Sequence, residues 1–185
     1  IDGRINSRYT FPVVSLTMDI NDLFDFERGI YIPGKVYYDK GYGDSYWGTP
    51  NANYHQRGRE WERPVNIEFF EPGGKLGFSM NAGIRIHGSG TKVLPQKSLR
   101  LYARKDYDIQ NSFSYDIFPG LNKTGTNEPL TEFKRLILRN GGQDFYRTIF
   151  KDMMLQSLIE HEAIDTQATR PAIVFINGEY WGIQN

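Results

Sequence analysis

A chain of 185 residues suits one domain or one large lobe and can bury a real core without disulfides or metals. Lys+Arg and Asp+Glu each number 22, so no global field favours nucleic acid or anionic lipid, and an acidic ligand must be held by a local cluster. The absence of cysteine excludes disulfides, thiolate metal sites and cysteine nucleophiles, and no apolar run approaches the roughly 20 residues of a membrane helix.

Aromatic residues make up 15% of the chain and Gly occurs 19 times, a mixture that suits short strands joined by tight turns. In chain order, Phe11–Leu16 is predicted as a strand, a short turn from Asp19 or Asn21 includes Leu23 and Phe24, and Gly29–Pro33 is an extended piece. Tyr37–Arg59 has no period and is predicted as a long surface loop. Pro64–Phe70 alternates, with Val65, Ile67 and Phe69 on one side, and predicts a half-buried strand. Glu71-Pro72-Gly73-Gly74 is a turn by its chemistry. Leu76–Met80, Ala82–His87 and Gln96–Arg104 are predicted strands, the last with Leu99, Leu101 and Ala103 opposed by Ser98, Arg100 and Tyr102. Lys105–Asn127 reads as loop and Phe133–Leu138 as strand. Asp144–His161 is the one clear predicted helix, with Asp144 at its start as a cap, and its apolar residues spread over most sides. Pro171–Ile176 and Glu179–Ile183 form a hairpin about Asn177-Gly178. The order predicts an α+β fold of low helix content, an antiparallel sheet with one main packed helix.

Three constellations carry candidate chemistry. His87-Gly88-Ser89-Gly90-Thr91 lies between two predicted strands and is followed by Lys97. Glycines allow backbone N–H groups to approach an anion, and a lysine on the next strand suits phosphate; a plain β-turn with a surface lysine fits the same pattern. Arg85, Lys97, Arg100, Arg135 and Arg139 form a basic strand set that either converges on phosphate or carboxylate or makes charge pairs on a solvated face. Asp152, among apolar helix residues, either pairs with a cation from the sheet or is an exposed acid. His55, His87 and His161 lack metal-ligand spacing, and Ser15, Ser79, Ser89 and Ser98 lack the setting of a hydrolase nucleophile. Glu60 and Glu62 do not by themselves make a glycosidase pair. Tyr42, Tyr46, Trp47 and Tyr54 either stack on sugars or cover a sheet edge.

Five ordered blocks resemble the bacterial CotH-type kinase family, named for a spore-coat protein. They are Asn53–Pro64, Gly83–Gly88, Pro95–Leu101, Leu136–Asn140 and Asn177–Gly182, and the match runs from about Pro12 to the end. The resemblance implies a reduced protein-kinase fold, of which this chain is the N-terminal lobe. It implies transfer of phosphate from ATP, with Mg or Mn, to protein serines, outside the cell or at its surface. Lys97 would be the nucleotide-contacting lysine, and Gly88, Ser89, Gly90 and Lys92 the phosphate-side loop. Asp152 would lie on the helix that supports the lysine, and Arg85 and Arg139 of the basic strand set join them as candidate cofactor-binding residues. Many relatives carry Ser-Ser-Arg where this chain has Gly90-Thr91-Lys92, so the charge stays but the guanidinium fork is lost.

The start at Ile1 and the stop just after the last predicted strand are expected of a chain cut from a longer one. The family's metal-binding and base aspartates would lie beyond Asn185, so no catalytic or metal-binding residue is assigned. Expected partners are nucleotide and a protein substrate, without nucleic acid or a membrane span. A non-catalytic surface module binding glycan or protein, and a pseudokinase with a structural role, are the rival readings.

Overall fold

The computed structural model describes residues 10–41, 51–162 and 164–185. Seven strands form one sheet: β1 Val13–Thr17, β2 Arg63–Phe70, β3 Leu76–His87, β4 Ser98–Tyr102, β7 Arg135–Leu138, β8 Ala172–Ile176 and β9 Glu179–Gln184. Their spatial order is β7-β4-β3-β2-β1-β8-β9. The pairs are antiparallel except β1 with β8, which run parallel, so the expectation of an antiparallel sheet is corrected at that one junction. β8 follows a long crossover from the far edge, which delivers it in the direction of β1.

Alternation decides what the sheet buries. Leu16 of β1, Ile67 of β2, Ile84 of β3, Leu99 and Leu101 of β4 and Val174 of β8 all lie on the inner face and are almost fully buried. Each such side chain contributes about 1.5–3 kcal/mol on leaving water. The two edge strands meet at one corner: Arg139 N–H donates to Asn185 O at 2.7 Å, and Asn185 N–H donates to Arg139 O at 3.0 Å. The sheet is therefore curled around its apolar face. A two-stranded ladder of β5 (Phe113–Ser114) and β6 (Glu132–Phe133), inside and just after the predicted 105–127 loop, places Phe113 in the same core.

The hairpin at Asn177-Gly178 forms as its sequence demands. Asn177 has φ 51° and Gly178 φ 85°, the pair of left-handed residues that a tight two-residue connection needs. Leu76–Met80 and Ala82–His87, predicted as two strands, are the single strand β3. Asn81 does not break it, because its amide N–H donates to Asp108 and its side chain accepts from Asn66 across the ladder.

Helix is scarce. α1 (Ile20–Phe24) replaces the predicted turn, with Asp19 accepting from Asn21 N–H at its start. α2 (Gly34–Lys40) occupies the start of the predicted 37–59 loop. α3 is Lys151–Leu158, much shorter than the predicted 144–161, and none of its residues is buried. The expectation of one main packed helix is thus overturned. Ile149 sits at φ 67°, which an α-helix cannot accommodate, and the chain before it is in turns. Asp144 still caps: its carboxylate accepts Lys151 N–H at 3.2 Å, so it serves a helix that starts seven residues later. No helix among the described residues is long and apolar enough to cross a membrane.

The core is closed instead by segments predicted to be loop. Ala52, Asn53 and Tyr54 are buried, with Leu23 and Ile30 beside them. Of the aromatic set in that loop, Tyr42, Tyr46 and Trp47 lie outside the described residues, and Tyr54 belongs to the core. Asn53 is 1% exposed; its carboxamide accepts Val36 N–H at 3.1 Å and donates to Phe26 O at 3.2 Å and Gly29 O at 3.1 Å. Asn53→Ala is expected to cost about 2–3 kcal/mol, because it leaves buried backbone groups unpaired. Urea unfolding checks this: the midpoint should fall with an unchanged slope, and an unchanged midpoint would contradict it.

Candidate functional site

The outer face of the same strands carries a different chemistry. Cross-strand registers set Arg85 opposite Arg100 and His87 opposite Ser98 between β3 and β4, and Tyr102 opposite Arg135 between β4 and β7. The leucines and isoleucines that alternate with them fill the core, so the basic residues share the other side. Arginines directly opposite each other repel, and such a pair costs stability unless an anion joins it.

Neutral groups hold both guanidinium groups. Arg85 Nε and Nη2 donate to the Tyr102 hydroxyl, the former at 3.1 Å, and Nη1 donates to Gly58 O at 2.7 Å. The Arg85 guanidinium also lies 4.6 Å from the Tyr102 ring centre. Arg100 Nη2 is 3.4 Å from His87 Nε2, while Arg100 Nε is buried with no hydrogen-bond partner. Lys92, from the turn after Gly88, enters the same place and is only 3% exposed. Gly88 has φ 111°, so a side chain there would be strained, and its added Cβ would crowd Thr91 Oγ1.

These residues, with Arg57 and Gln56, line a recess of about 320 Å³ that contains no carboxylate. Burial pushes the Lys92 ammonium down to about 8, and Arg57, Arg85 and Arg100 push in the same direction. Burial likewise pushes His87 down to about 4, with Arg100, Lys92 and Arg139 adding to it, so the imidazole is neutral at pH 7. A neutral His87 that accepts from Arg100 carries its proton on Nδ1. A buried Lys92 and two half-buried arginines beside a positive-φ glycine, with no carboxylate in the same recess, fit an anion with several oxygen acceptors. Among the described residues, no group of three His, Asp or Glu is arranged to hold a metal ion.

The remaining predicted residues fall around this recess. Lys97 lies on the other side of β4 from Arg100, in step with Leu99 and Leu101, and is 5% exposed. Its ammonium donates to Lys92 O at 2.6 Å and Leu94 O at 2.9 Å and stands 4.3 Å from the Tyr54 ring centre and 5.3 Å from that of Tyr31. Burial alone pushes it down to about 8. Asp152 is ion-paired with Arg139 rather than with Lys97. Arg139, Asp152 and Asp165 border a neighbouring hollow that shares His87 and Arg100 with the recess, so the two carboxylates stand on the far side of Arg100 from it. Ser89 and Gly90 line a separate depression with Gly142, Phe145 and Tyr146.

Arg85, Lys92 and Gly88 are thus brought together, joined by Arg100 and His87, and backed by Lys97. Sequence reading missed the parts of Tyr102 and the Gly58 carbonyl. Tyr102 was legible as the outward neighbour of Arg100 two places along the strand; the Gly58 carbonyl left no signal.

The fold and recess define an α+β domain whose curled sheet buries aliphatic side chains on one face and presents an unbalanced cationic site on the other. The family model described as CotH kinase protein matches residues 84–185, more than half of the chain and the whole of β4 through β9, and the chain belongs to that family. No curated protein matches the chain.

The state of His87 gives a pH signature. The unfolded imidazole takes its proton near 6.5 and the folded one near 4, so between those values the unfolded state binds more protons. This contribution to stability is complete above about pH 6.5 and is lost as pH falls toward 4. Over that interval the wild type should lose about 1–3 kcal/mol more than His87→Gln, measured by chemical unfolding at each pH. Parallel curves would contradict it.

Proposed function

We propose that this chain is the phosphate-gripping lobe of an atypical, secreted or surface-exposed protein kinase that transfers the γ-phosphoryl group of ATP to protein serine hydroxyls. Membership of the CotH kinase protein family supports the reaction class. The observation that carries the ligand is the recess itself, where Arg85 faces Arg100 and Lys92 is buried beside them with no carboxylate in the lining. Such a site suits a polyphosphate chain and repels cationic ligands.

In this reading Arg85, Lys92 and Arg100 hold phosphate oxygens, and Gly88 lets the chain turn close to them. Lys97 acts beneath the loop, tying the carbonyls of Lys92 and Leu94, and so sets where the Lys92 ammonium emerges. The Arg139–Asp152 pair ties α3 to the end of β7 beside the same recess, as the supporting helix of a kinase N-lobe would be tied. Bound Mg or Mn would supply charge neutralisation of the phosphates. Transfer joins the serine oxygen to phosphorus, breaks the bond to the β–γ bridging oxygen and releases ADP and the hydroxyl proton.

The test uses the full-length protein with ATP and Mn. Phosphate incorporation into serine of a protein acceptor is expected, and Lys92→Met should reduce it at least about tenfold while leaving the melting temperature of the nucleotide-free protein within a few degrees. Nucleotide binding without incorporation would favour a pseudokinase, and neither binding nor incorporation would overturn the proposal.

A further inference from the structure

Partly buried arginines, like those of this recess, commonly meet carboxylates, which fix their geometry and cancel their charge. The two arginines of this recess do not. Arg85 spends its N–H groups on the Tyr102 hydroxyl and the Gly58 carbonyl. Among the described residues Arg100 has one hydrogen-bonding contact, the neutral His87 imidazole, and keeps a buried Nε–H without a partner, while Asp152, paired with Arg139, and Asp165 line the adjoining hollow rather than the recess. Tyr102 is 3% exposed, and the guanidinium groups of Arg85, Arg104 and Arg135 lie 4.6, 4.9 and 5.9 Å from its ring centre. Of these, Arg104 is neutralised by a fork to Glu62, at 3.0 and 3.2 Å, outside the recess. The protein therefore has a carboxylate nearby and spends it elsewhere.

We propose that His87 and Tyr102 are positioning residues that aim Arg100 and Arg85 at a polyanionic ligand through uncharged acceptors, leaving the full positive charge of both for the phosphoryl groups. The inference rests on the reading of the recess as a phosphate site and specifies how its affinity is built. Lys92 and Arg57 bring the cations lining the recess to four with the two arginines. One phosphate dianion balances at most half of that charge. A diphosphate balances more of it and presents more oxygen acceptors, so the recess should rank pyrophosphate above inorganic phosphate.

The experiment is calorimetric titration of the chain and its variants with pyrophosphate and with inorganic phosphate, alongside melting temperatures in anion-free buffer. The wild type should bind pyrophosphate at least about tenfold more tightly than phosphate. His87→Gln keeps a neutral acceptor and should bind pyrophosphate within about threefold of wild type. His87→Glu keeps an acceptor, adds a negative charge and should lose about tenfold or more. Tyr102→Phe keeps the packing, frees Arg85 and should lose about five- to tenfold. If His87→Glu binds as tightly as His87→Gln, or Tyr102→Phe as tightly as wild type, the positioning roles are wrong while the phosphate site stands. If the wild type binds neither anion, the phosphate site itself is wrong and the positioning roles fall with it.

Discussion

Arg85 and Arg100 face each other across adjacent antiparallel strands with no acid in the recess they line, and the rest of the structure is organised around holding that repulsion in place. A cross-strand pair of like charges is a local cost. It persists because the opposite side chains of the same strands, Ile84, Ile86, Leu99 and Leu101, are committed to the core. Slipping the register by one residue would put those four in water and the arginines in the core. The hydrophobic face thus enforces the electrostatic one.

The surroundings stiffen the recess from several directions. Below it, Lys97 ties the carbonyls of the turn that carries Lys92. The Lys97 amide in turn donates to the Tyr31 hydroxyl, which also accepts Trp181 Nε1 and donates to Pro95 O. One phenol therefore joins the N-terminal segment, the entry to β4 and the last hairpin. Asn140, fully buried, accepts from Ser98 Oγ and donates to Gln96 O, which fixes β7 against the start of β4. A binding site held this way meets its ligand with little left to reorganise.

Much of this was legible in the residues. Period-two alternation gave β2, β4 and the direction of every side chain on them, and Asn177-Gly178 gave the last hairpin. The same alternation places Lys97 in step with Leu99 and Leu101, away from Arg100, a consequence that a motif-led reading of a glycine turn followed by lysine passes over. The parallel partner of β1 left no local trace, because it depends on a crossover of more than a hundred residues. Asp144–His161 looked helical by composition, yet Ile149 takes a left-handed conformation and only Lys151–Leu158 forms a helix. The burial of Ala52–Tyr54 was hidden by polar neighbours, since Asn53 satisfies four backbone groups from inside the core.

The most direct test of the account is the melting temperature of Arg100→Gln against wild type, with and without saturating pyrophosphate. If the arginine pair is a stability cost redeemed by an anion, the variant melts at or above the wild type in anion-free buffer and below it when pyrophosphate is present. A variant that melts well below the wild type by the same margin in both buffers would show that Arg100 is an ordinary structural residue, and the cationic recess would lose its meaning.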